Sequence, residues 1–447
     1  MDRLSAFQPG MGAVERTLPV TGDSDVRELA SRSMPPPLLA RLLVPRLPFY
    51  YGWLVLAALC LVGLARQGPA VAVLSVFVEP MTREFGWSRA EISGAVSLGG
   101  VLAAIISPWI GPMVDRRGAR AVLTIAILCT GLATLGLSLT SSLVMFYVIF
   151  CFARMVWAGP FDLGLYTALN NWFVSRRGIA NSIASLAQMA GLVVLPLVAQ
   201  LAMEQGSWRN GWLAIGVLSL LIGLLPVWLL VARRPEDLGL TADRPRGGSG
   251  SAVPEPQFDR RQAMATRAFW LLSLYTVLVY PVQAGVSLHQ VSHLIERGLA
   301  PLQAAGVVGV FSSMSALSGF AIGFLPRRIS LQWRLIGTAA CLSLGTAAMI
   351  FVHDIAGAYL AAGIFGLGIG GIIALLPIAW AEFFGRTSYG AIRGVVLSMQ
   401  VVAQALGPLL SGWLRDQTGD YRLSLGVLAI SAALLARRPE PPVRSSL

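Results

Sequence analysis

Two arginines and one aspartate lie deep inside apolar stretches of this sequence, where a charged side chain is costly. Arg66 and Arg154 are basic and Asp162 is acidic. A guanidinium offers a planar fork of N–H donors, so both arginines together would bind a carboxylate or another small anion. Asp162 could carry a coupled proton or form a gating ion pair. Arg154 could instead pair with Asp162, although regular helix would separate them by about 12 Å unless Pro160 distorts it.

Weaker candidates for the same site are amides and imidazoles on other apolar stretches. Gln188 and Gln404 occupy corresponding places in two similar parts of the chain and could line a cavity or only hydrogen-bond between helices. His289 and His293 lie near the end of one stretch, where each is either a protonation site or simply hydrogen-bonded. We include His289, Gln188 and Gln404 among the predicted substrate-binding residues. No sequence pattern predicts a metal site, and no cofactor is expected.

The elements that must position these residues are membrane-spanning helices. Of the 447 residues, 55% are hydrophobic and only 13% are charged, and the mean hydropathy is +0.68. A soluble protein keeps roughly a quarter of its residues charged, and its helices need a polar face. Here the apolar runs are long enough to cross a hydrocarbon core of roughly 30 Å. The predicted spans 1 to 12 are 50–80, 89–113, 119–140, 142–173, 177–204, 210–232, 266–295, 302–326, 333–352, 355–384, 389–414 and 421–436.

The arginines indicate how these spans are oriented. The net charge is +12 and every basic residue is Arg, a balance that would suggest nucleic acid in a soluble protein but here reflects topology. Most arginines outside the spans fall on one side of the membrane. The loops on the other side hold Arg83, Arg89, Arg209, Arg297, Arg415 and Arg422. Because cytoplasmic loops are the basic ones, we expect both termini in the cytoplasm of a bacterial-type cell, the chain in its inner membrane, and no nucleic-acid partner.

A hydrophilic linker divides the chain into two halves of six spans. Its Gly, Ser and Pro content favours a flexible connection. The predicted organisation is a cytoplasmic tail at 1–47, a six-helix bundle at 48–233, the linker at 234–264, a second six-helix bundle at 265–437 and a cytoplasmic tail at 438–447.

The two halves also resemble each other in sequence. Arg177-Gly178, Ala187-Gln188 and Gly191 recur at an offset of 216 residues as Arg393-Gly394, Ala403-Gln404 and Gly407. Prolines at similar depths in spans 1 and 7, Pro69 and Pro281, predict a matching break in both helices. The predicted fold is therefore an all-α membrane protein, with twelve transmembrane helices in two pseudo-symmetric six-helix bundles that rock about a site between them.

The short loop between spans 2 and 3 carries the strongest local motif. It contains Gly111, Asp115, Arg116, Gly118 and Arg120, and it resembles the Gly-x3-Asp-Arg-x-Gly-x-Arg signature of the major facilitator superfamily. Its charged groups could bond to neighbouring helix ends in one conformation and release them in another, as a latch. The structural alternative is a tight turn with basic anchors. The equivalent loop of the second half, which includes Arg327 and Arg328, lacks the acid and the second glycine.

Longer blocks of sequence resemble the monocarboxylate transporter and oxalate/formate exchanger branch of that superfamily. These blocks are Tyr51-Gly52-Trp53, Phe85-Gly86-Trp87-Ser88-Arg89-Ala90-Glu91-Ile92-Ser93, Asn171-Trp172-Phe173 with Arg176-Arg177-Gly178, and Glu382-Phe383-Phe384-Gly385 with Gly390-Ala391-Ile392-Arg393-Gly394. In that branch, span 8 carries charged residues and exchangers add a lysine in span 11. Here span 8 has no ionisable residue and span 11 has glutamines, so we expect any anion site to be charged from the first half alone.

Together these features predict a secondary transporter that moves a small organic anion, with monocarboxylates favoured, by alternating access and proton symport. The expected partners are the anion, the proton and the bilayer, and the expected state is monomeric.

An exporter of amphipathic drugs or metabolites is the alternative and would need an aromatic, uncharged cavity. The short linker and tails disfavour a sensor that has lost transport. No nucleophile–base constellation or Walker-type loop appears, so we expect neither an enzyme nor a transporter driven by ATP.

Overall fold

The computed structural model of the chain describes residues 37–204, 206–243, 256–325 and 329–436, and within these ranges it contains helices and no strands. Spans 2 to 6 are Arg89–Arg117, Ala119–Leu137, Leu143–Ala158 with Pro160–Trp172, Arg177–Glu204 and Trp208–Leu230. Spans 7 to 12 are Arg267–Glu296, Pro301–Ile322, Leu331–Ile350, Ile355–Phe384, Tyr389–Thr418 and Arg422–Ala433. Span 1 consists of Gly52–Ala65 and Val71–Phe85, and the short helices outside the spans include Leu38–Leu43, Pro235–Leu238 and Arg260–Met264.

Most of these elements are long and apolar enough to cross a membrane. In the described part of the chain, nine helices meet that condition, and spans 1, 8 and 12 contribute shorter apolar helices. The predicted all-α fold of two six-helix halves is confirmed. Because span 6 ends at Leu230 and span 7 begins at Arg267, the linker joins helix ends on one face of the molecule. We call this the linker face and the opposite face the far face.

Two helices of the first half break near their middle. Span 1 is interrupted between Ala65 and Val71, where Gly68 precedes Pro69. Span 4 is interrupted at Gly159, immediately before Pro160. In both places a glycine that tolerates irregular backbone stands next to a proline that cannot donate an N–H, a pair that permits a break. The pair does not require one, because Gly111-Pro112 and Gly407-Pro408 lie inside continuous helices.

The predicted break of span 7 is wrong. Arg267–Glu296 is one continuous helix with Pro281 inside it. The proline removes one main-chain hydrogen bond, and the helix accommodates this loss without ending, as spans 2 and 11 do at Pro112 and Pro408. Of the corresponding spans 1 and 7, only span 1 is therefore broken.

The two halves pack closely at the linker face and through the middle of the molecule. Span 2 lies along span 11, span 5 lies against spans 8 and 10, and the inner part of span 4 contacts spans 10 and 11. A Cβ atom on Gly111 would lie only 2.1 Å from the carbonyl oxygen of Gly390, and one on Gly178 would lie 3.3 Å from the carbonyl oxygen of Gly323. Ser182 Oγ donates across the halves to the Gly319 carbonyl at 2.7 Å. Small residues thus permit the close backbone approach that shuts the linker face.

Candidate functional site

The breaks in spans 1 and 4 lie side by side and hold Arg66 and Arg154 together. Both guanidiniums lie against the Trp157 ring, with their central carbons 5.0 Å (Arg66) and 3.9 Å (Arg154) from its centre. Arg66 Nη2 donates to the Trp157 carbonyl at 3.1 Å, and Arg154 Nη1 donates to the Pro69 carbonyl at 3.2 Å. The indole N–H donates in turn to Gln67 Oε1 at 3.1 Å. Two like charges are therefore held against one aromatic ring, and such a ring attracts cations near its faces.

Asp162 lies between cations from the two halves. One carboxylate oxygen is 3.8 Å from Arg66 Nη1, and the other is 3.7 Å from Nη2 of Arg393 in span 11. Arg393 Nη2 also donates to Gln400 Oε1 at 2.8 Å. No ion pair between Arg154 and Asp162 is found among the described residues, so the alternative pairing within span 4 is not the arrangement that forms.

The expectation that the first half alone charges the site is wrong. Arg393 is 2% exposed and belongs to the second half, where it lies one turn inside span 11. The sequence reasoning assigned it to the loop side because it stands close to the start of that span. A sequence signal was available, because Arg393 matches Arg177 in the internal repeat. The structure buries both side chains, and Arg177 is 4% exposed.

The cluster carries an excess of positive charge and of hydrogen-bond donors. The cluster contains three guanidiniums and one carboxylate: Arg66 and Arg393 pair with Asp162, and Arg154 lies against Trp157. Charge-assisted hydrogen bonds usually measure 2.7–2.9 Å, so the two contacts of Asp162 are ion pairs without a direct hydrogen bond. Within this cluster, five buried guanidinium nitrogens have no hydrogen-bond partner among the described residues: Nε and Nη1 of Arg66, Nε of Arg154, and Nε and Nη1 of Arg393. This arrangement can bind a small anion.

Polar side chains border the cluster from both halves. Gln188 Nε2 donates to the Tyr166 hydroxyl at 3.4 Å, and Tyr166 interacts electrostatically with Asp162. Tyr280 of span 7 and Tyr389 of span 11 are buried on the other side and interact electrostatically with Arg393. The structure therefore brings the predicted Gln188 to the site and adds three tyrosines that the sequence reasoning did not select.

Two predicted residues lie further along the second half. Gln404 Nε2 donates to Gln283 Oε1 at 3.1 Å, between spans 11 and 7. His289 Nε2 contacts the Pro408 carbonyl at 3.2 Å, and its ring lies 5.2 Å from that of Tyr421. Both contacts join helices of the second half. Their predicted role in substrate binding stays a prediction.

The acid of the loop motif bonds to a helix end in the other half. Asp115 Oδ1 accepts from Gly390 N at 2.9 Å and Oδ2 from Ala391 N at 2.7 Å, at the start of span 11. The first amides of a helix lack partners within it, so a carboxylate there satisfies them and the helix dipole together. The pKa of the nearby Arg234 guanidinium is lowered, first by burial and then by the positive charges of Arg233 and Arg386, and the negative charges of Glu236 and Asp115 only partly offset this. These contacts have the geometry that the predicted latch requires.

The other motif residues shape the loop within the first half. Arg120 Nη2 donates to the Trp228 carbonyl at 2.7 Å and its guanidinium lies 4.8 Å from the Trp228 ring, at the end of span 6. Gly118 adopts a φ of +87°, which a residue with a Cβ rarely does. Arg116 is exposed at the linker face. Arg327 and Arg328 of the predicted equivalent loop lie outside the described residues.

Comparison with known proteins agrees with this architecture. A family model described as Major Facilitator Superfamily matches residues 55–408. The protein named monocarboxylate transporter 11 of Mus musculus is 26% identical over 391 residues, which cover 84% of this chain and 83% of that protein. The uncharacterized MFS-type transporter YcxA of Bacillus subtilis is 20% identical, over 80% of this chain and 88% of its own.

Solved structures show the same fold. The proton:xylose symporter XylE superposes with a TM-score of 0.68 at 13% identity, covering 87% of this chain and 95% of its own. The human organic anion transporter MFSD10 superposes with a TM-score of 0.65 at 13% identity, covering 86% and 98%. The family model covers most of both halves, and the curated relatives are transporters rather than enzymes. We conclude that this chain belongs to the major facilitator superfamily of membrane transporters.

Proposed function

We propose that this transporter moves a small organic anion, of the monocarboxylate class, together with a proton. The observation that carries the proposal is a buried cluster of three guanidiniums with one carboxylate, in which Arg66 and Arg393 pair with Asp162 and several N–H donors have no partner among the described residues. An uncompensated buried cation is costly in a membrane, and a bound carboxylate would remove that cost. The relatives named monocarboxylate transporters, and the fold shared with a named organic anion transporter, support the same substrate class.

The anion would bind by replacing Asp162 as the partner of the arginines. Arg66 and Arg393 already lie 3.8 Å and 3.7 Å from that carboxylate and have N–H groups to spare. A substrate carboxylate could approach to hydrogen-bond distance and engage the fork of one guanidinium. Because Arg66 and Arg393 belong to opposite halves, a bound anion would draw both halves towards one ligand.

Proton coupling follows from the same competition. A proton on Asp162 neutralises its charge and ends its attraction for Arg66 and Arg393. The arginines are then left with the substrate as their only anion, so proton and substrate favour each other's binding. One proton and one monocarboxylate crossing together carry no net charge. We propose this symport as the energy source.

The closed linker face corresponds to one end of the transport cycle that we propose. The linker face is shut by spans 2 and 11 and by spans 5 and 8, so a substrate would reach the site from the far face. With the linker placed in the cytoplasm of a bacterial-type cell, as the arginine distribution favours, the far face is outside the inner membrane. Release into the cytoplasm then requires the contacts of Asp115 with span 11 to break.

Uptake into proteoliposomes tests the substrate class. We expect saturable uptake of labelled lactate or pyruvate that rises when the outside is made acidic, and none of neutral xylose. Arg393→Gln should lower that uptake at least tenfold, whereas Arg209→Gln, which removes a far-face partner of Glu84, should leave it within about twofold. Transport of uncharged amphipathic compounds that is insensitive to Arg66, Arg154 and Arg393 would instead establish the exporter.

A further inference from the structure

The amides that precede span 5 are satisfied differently from those that begin span 11. For span 11 the carboxylate comes from the opposite half, from Asp115 in the loop between spans 2 and 3. By the internal symmetry, the loop between spans 8 and 9 should serve span 5. In the sequence, Arg327 stands there at the position that corresponds to Asp115. That loop therefore offers no acid to span 5.

The linker supplies the missing carboxylate. Asp243 Oδ1 accepts from the backbone N–H groups of Val174 and Ser175, the latter at 3.0 Å, and Oδ2 accepts from Arg176 N at 2.8 Å. The main-chain carbonyl of Asp243 lies 3.1 Å from the same Ser175 N–H. One side chain thus fixes three consecutive amides of the loop between spans 4 and 5.

The linker also reaches the corresponding loop of the second half. Glu236 Oε1 lies 2.8 Å from Arg386 Nη2, in the loop between spans 10 and 11. Arg386 Nη1 donates back to the Asn171 carbonyl at the end of span 4, at 2.9 Å. Asp237 accepts from the side chain of Arg233 and the backbone of Arg234, which folds this part of the linker into a short turn of helix. The described linker residues therefore tie span 4 to both loops.

The inner part of span 4 connects these contacts to the anion site. Pro160–Trp172 is 13 residues long, about 20 Å at 1.5 Å per residue, and Asp162 is its only member that is not buried. Asp162 lies at one end; at the other, the Trp172 carbonyl accepts from the Tyr50 hydroxyl at 2.8 Å and lies 3.5 Å from Asp243 N. A packed helix of this length moves as one body, so a shift at Trp172 displaces Asp162.

We propose that Asp243 is a positioning residue for transport, which fixes the linker-face end of span 4 and thereby holds Asp162 between Arg66 and Arg393 in the closed arrangement. The proposal rests on the alternating-access transport proposed above. In this proposal the two carboxylates behave differently. Asp115 must release span 11 when the linker face opens, whereas Asp243 lies in the same half as the loop between spans 4 and 5 and can stay bound to it. Loss of Asp243 then frees the loop, weakens the packing of span 4 on spans 10 and 11, and opens the linker face.

Distances between spin labels across the linker face test this without any substrate. Labels at Arg117→Cys and Glu382→Cys, two exposed positions on opposite halves, report the opening in a chain whose four native cysteines are replaced by serine. We expect Asp243→Asn to raise the open population at least threefold and Asp243→Glu to restore it. Asp259→Asn is the matched control, because this linker carboxylate caps only the short helix Arg260–Met264.

A second measurement separates positioning from stability. If Asp243 acts through span 4, the effects of Asp243→Asn and Asp162→Asn on the open population are not additive in the double variant. A lower melting temperature with an unchanged open population, or strictly additive effects, would overturn the proposal. Because the readout needs no anion, failure of carboxylate uptake contradicts only the proposed substrate and leaves this result interpretable.

Discussion

The carboxylate of Asp162 lies 3.7 Å from the guanidinium of Arg393, and this ion pair crosses the boundary between the two halves of the transporter. The same carboxylate lies 3.8 Å from Arg66 within its own half. A single change of charge at Asp162 therefore alters both the anion site and the attraction between the halves. This shared position is what allows binding, protonation and the movement of the halves to be linked.

Asp162→Asn should separate exchange from proton-driven accumulation. The amide mimics the protonated side chain in size and in lack of charge, so the variant should still exchange labelled for unlabelled substrate across the membrane. Accumulation driven by an inward proton gradient should fall at least tenfold, and the rise of uptake at acidic outside pH should disappear. Counterflow and gradient-driven uptake in the same proteoliposomes measure the two activities. Accumulation that stays normal in Asp162→Asn would remove this residue from the coupling.

Arg66→Ala should abolish uptake while the protein still inserts. The change removes the cation that lies against both Trp157 and Asp162, and losing one partner of a buried charged pair costs roughly 3–5 kcal/mol. Uptake of labelled lactate, normalised to the amount of protein in the membrane, gives the effect. Arg83→Ala is a suitable control, because that arginine is exposed and pairs only locally with Glu79. Near-normal transport by Arg66→Ala would place the anion elsewhere.

Trp157 should matter for how tightly the anion binds rather than for how the protein folds. Its ring lies against the guanidiniums of Arg66 and Arg154, and such contacts are worth about 0.5–2 kcal/mol each. Trp157→Leu should raise the KM for the anion by about tenfold with a smaller change in maximal rate, and Trp157→Phe should retain more of the affinity. Equal KM values for the two variants would show that the ring only fills space.

The transmembrane helices were predictable because the length of an apolar run and the positions of the arginines can be read directly from local stretches of sequence. Span 12 is short, as its apolar run indicated. The helix breaks were less predictable: Gly159-Pro160 interrupts span 4, whereas Gly111-Pro112, Pro281 and Gly407-Pro408 lie inside continuous helices. The family resemblance read from the loop motif was confirmed by the match over residues 55–408.

The site was predictable only in its first half. Arg66, Arg154 and Asp162 stand out because each is a charge within an apolar run, and the structure brings the three together. Arg393 does not stand out, because an arginine near the start of a span is usually a topology signal. Its burial depends on span 11 packing along span 2, and that contact joins residues almost 300 positions apart in the chain, such as Ala104 and Ser398.

Asp115→Asn should favour the conformation that is open at the linker face. The carboxylate accepts one hydrogen bond on each oxygen, from Gly390 N and Ala391 N, whereas an amide has only one accepting oxygen. Loss of a helix cap costs about 1 kcal/mol, so the open population should rise roughly fivefold. Spin-label distances across the linker face measure that population. An unchanged distribution would show that Asp115 does not act as a latch.

Gly111→Ala should prevent the linker face from closing, because the new methyl group has no space. Its Cβ would lie 2.1 Å from the carbonyl oxygen of Gly390 in the other half, which is main chain and cannot rotate away. Gly100→Ala is the matched control on the same helix and interface, where a Cβ would make an ordinary contact of 3.8 Å with Val401. Overpacking of this kind costs about 1–3 kcal/mol, and here the cost falls only on the closed state, since the halves separate at this point in the open one.

We therefore expect the open population of Gly111→Ala to rise at least fivefold and its uptake to fall, with both quantities near the parent values in Gly100→Ala. A similar loss of uptake in both variants would mean that span 2 tolerates no added methyl group, for reasons unrelated to the approach of the halves.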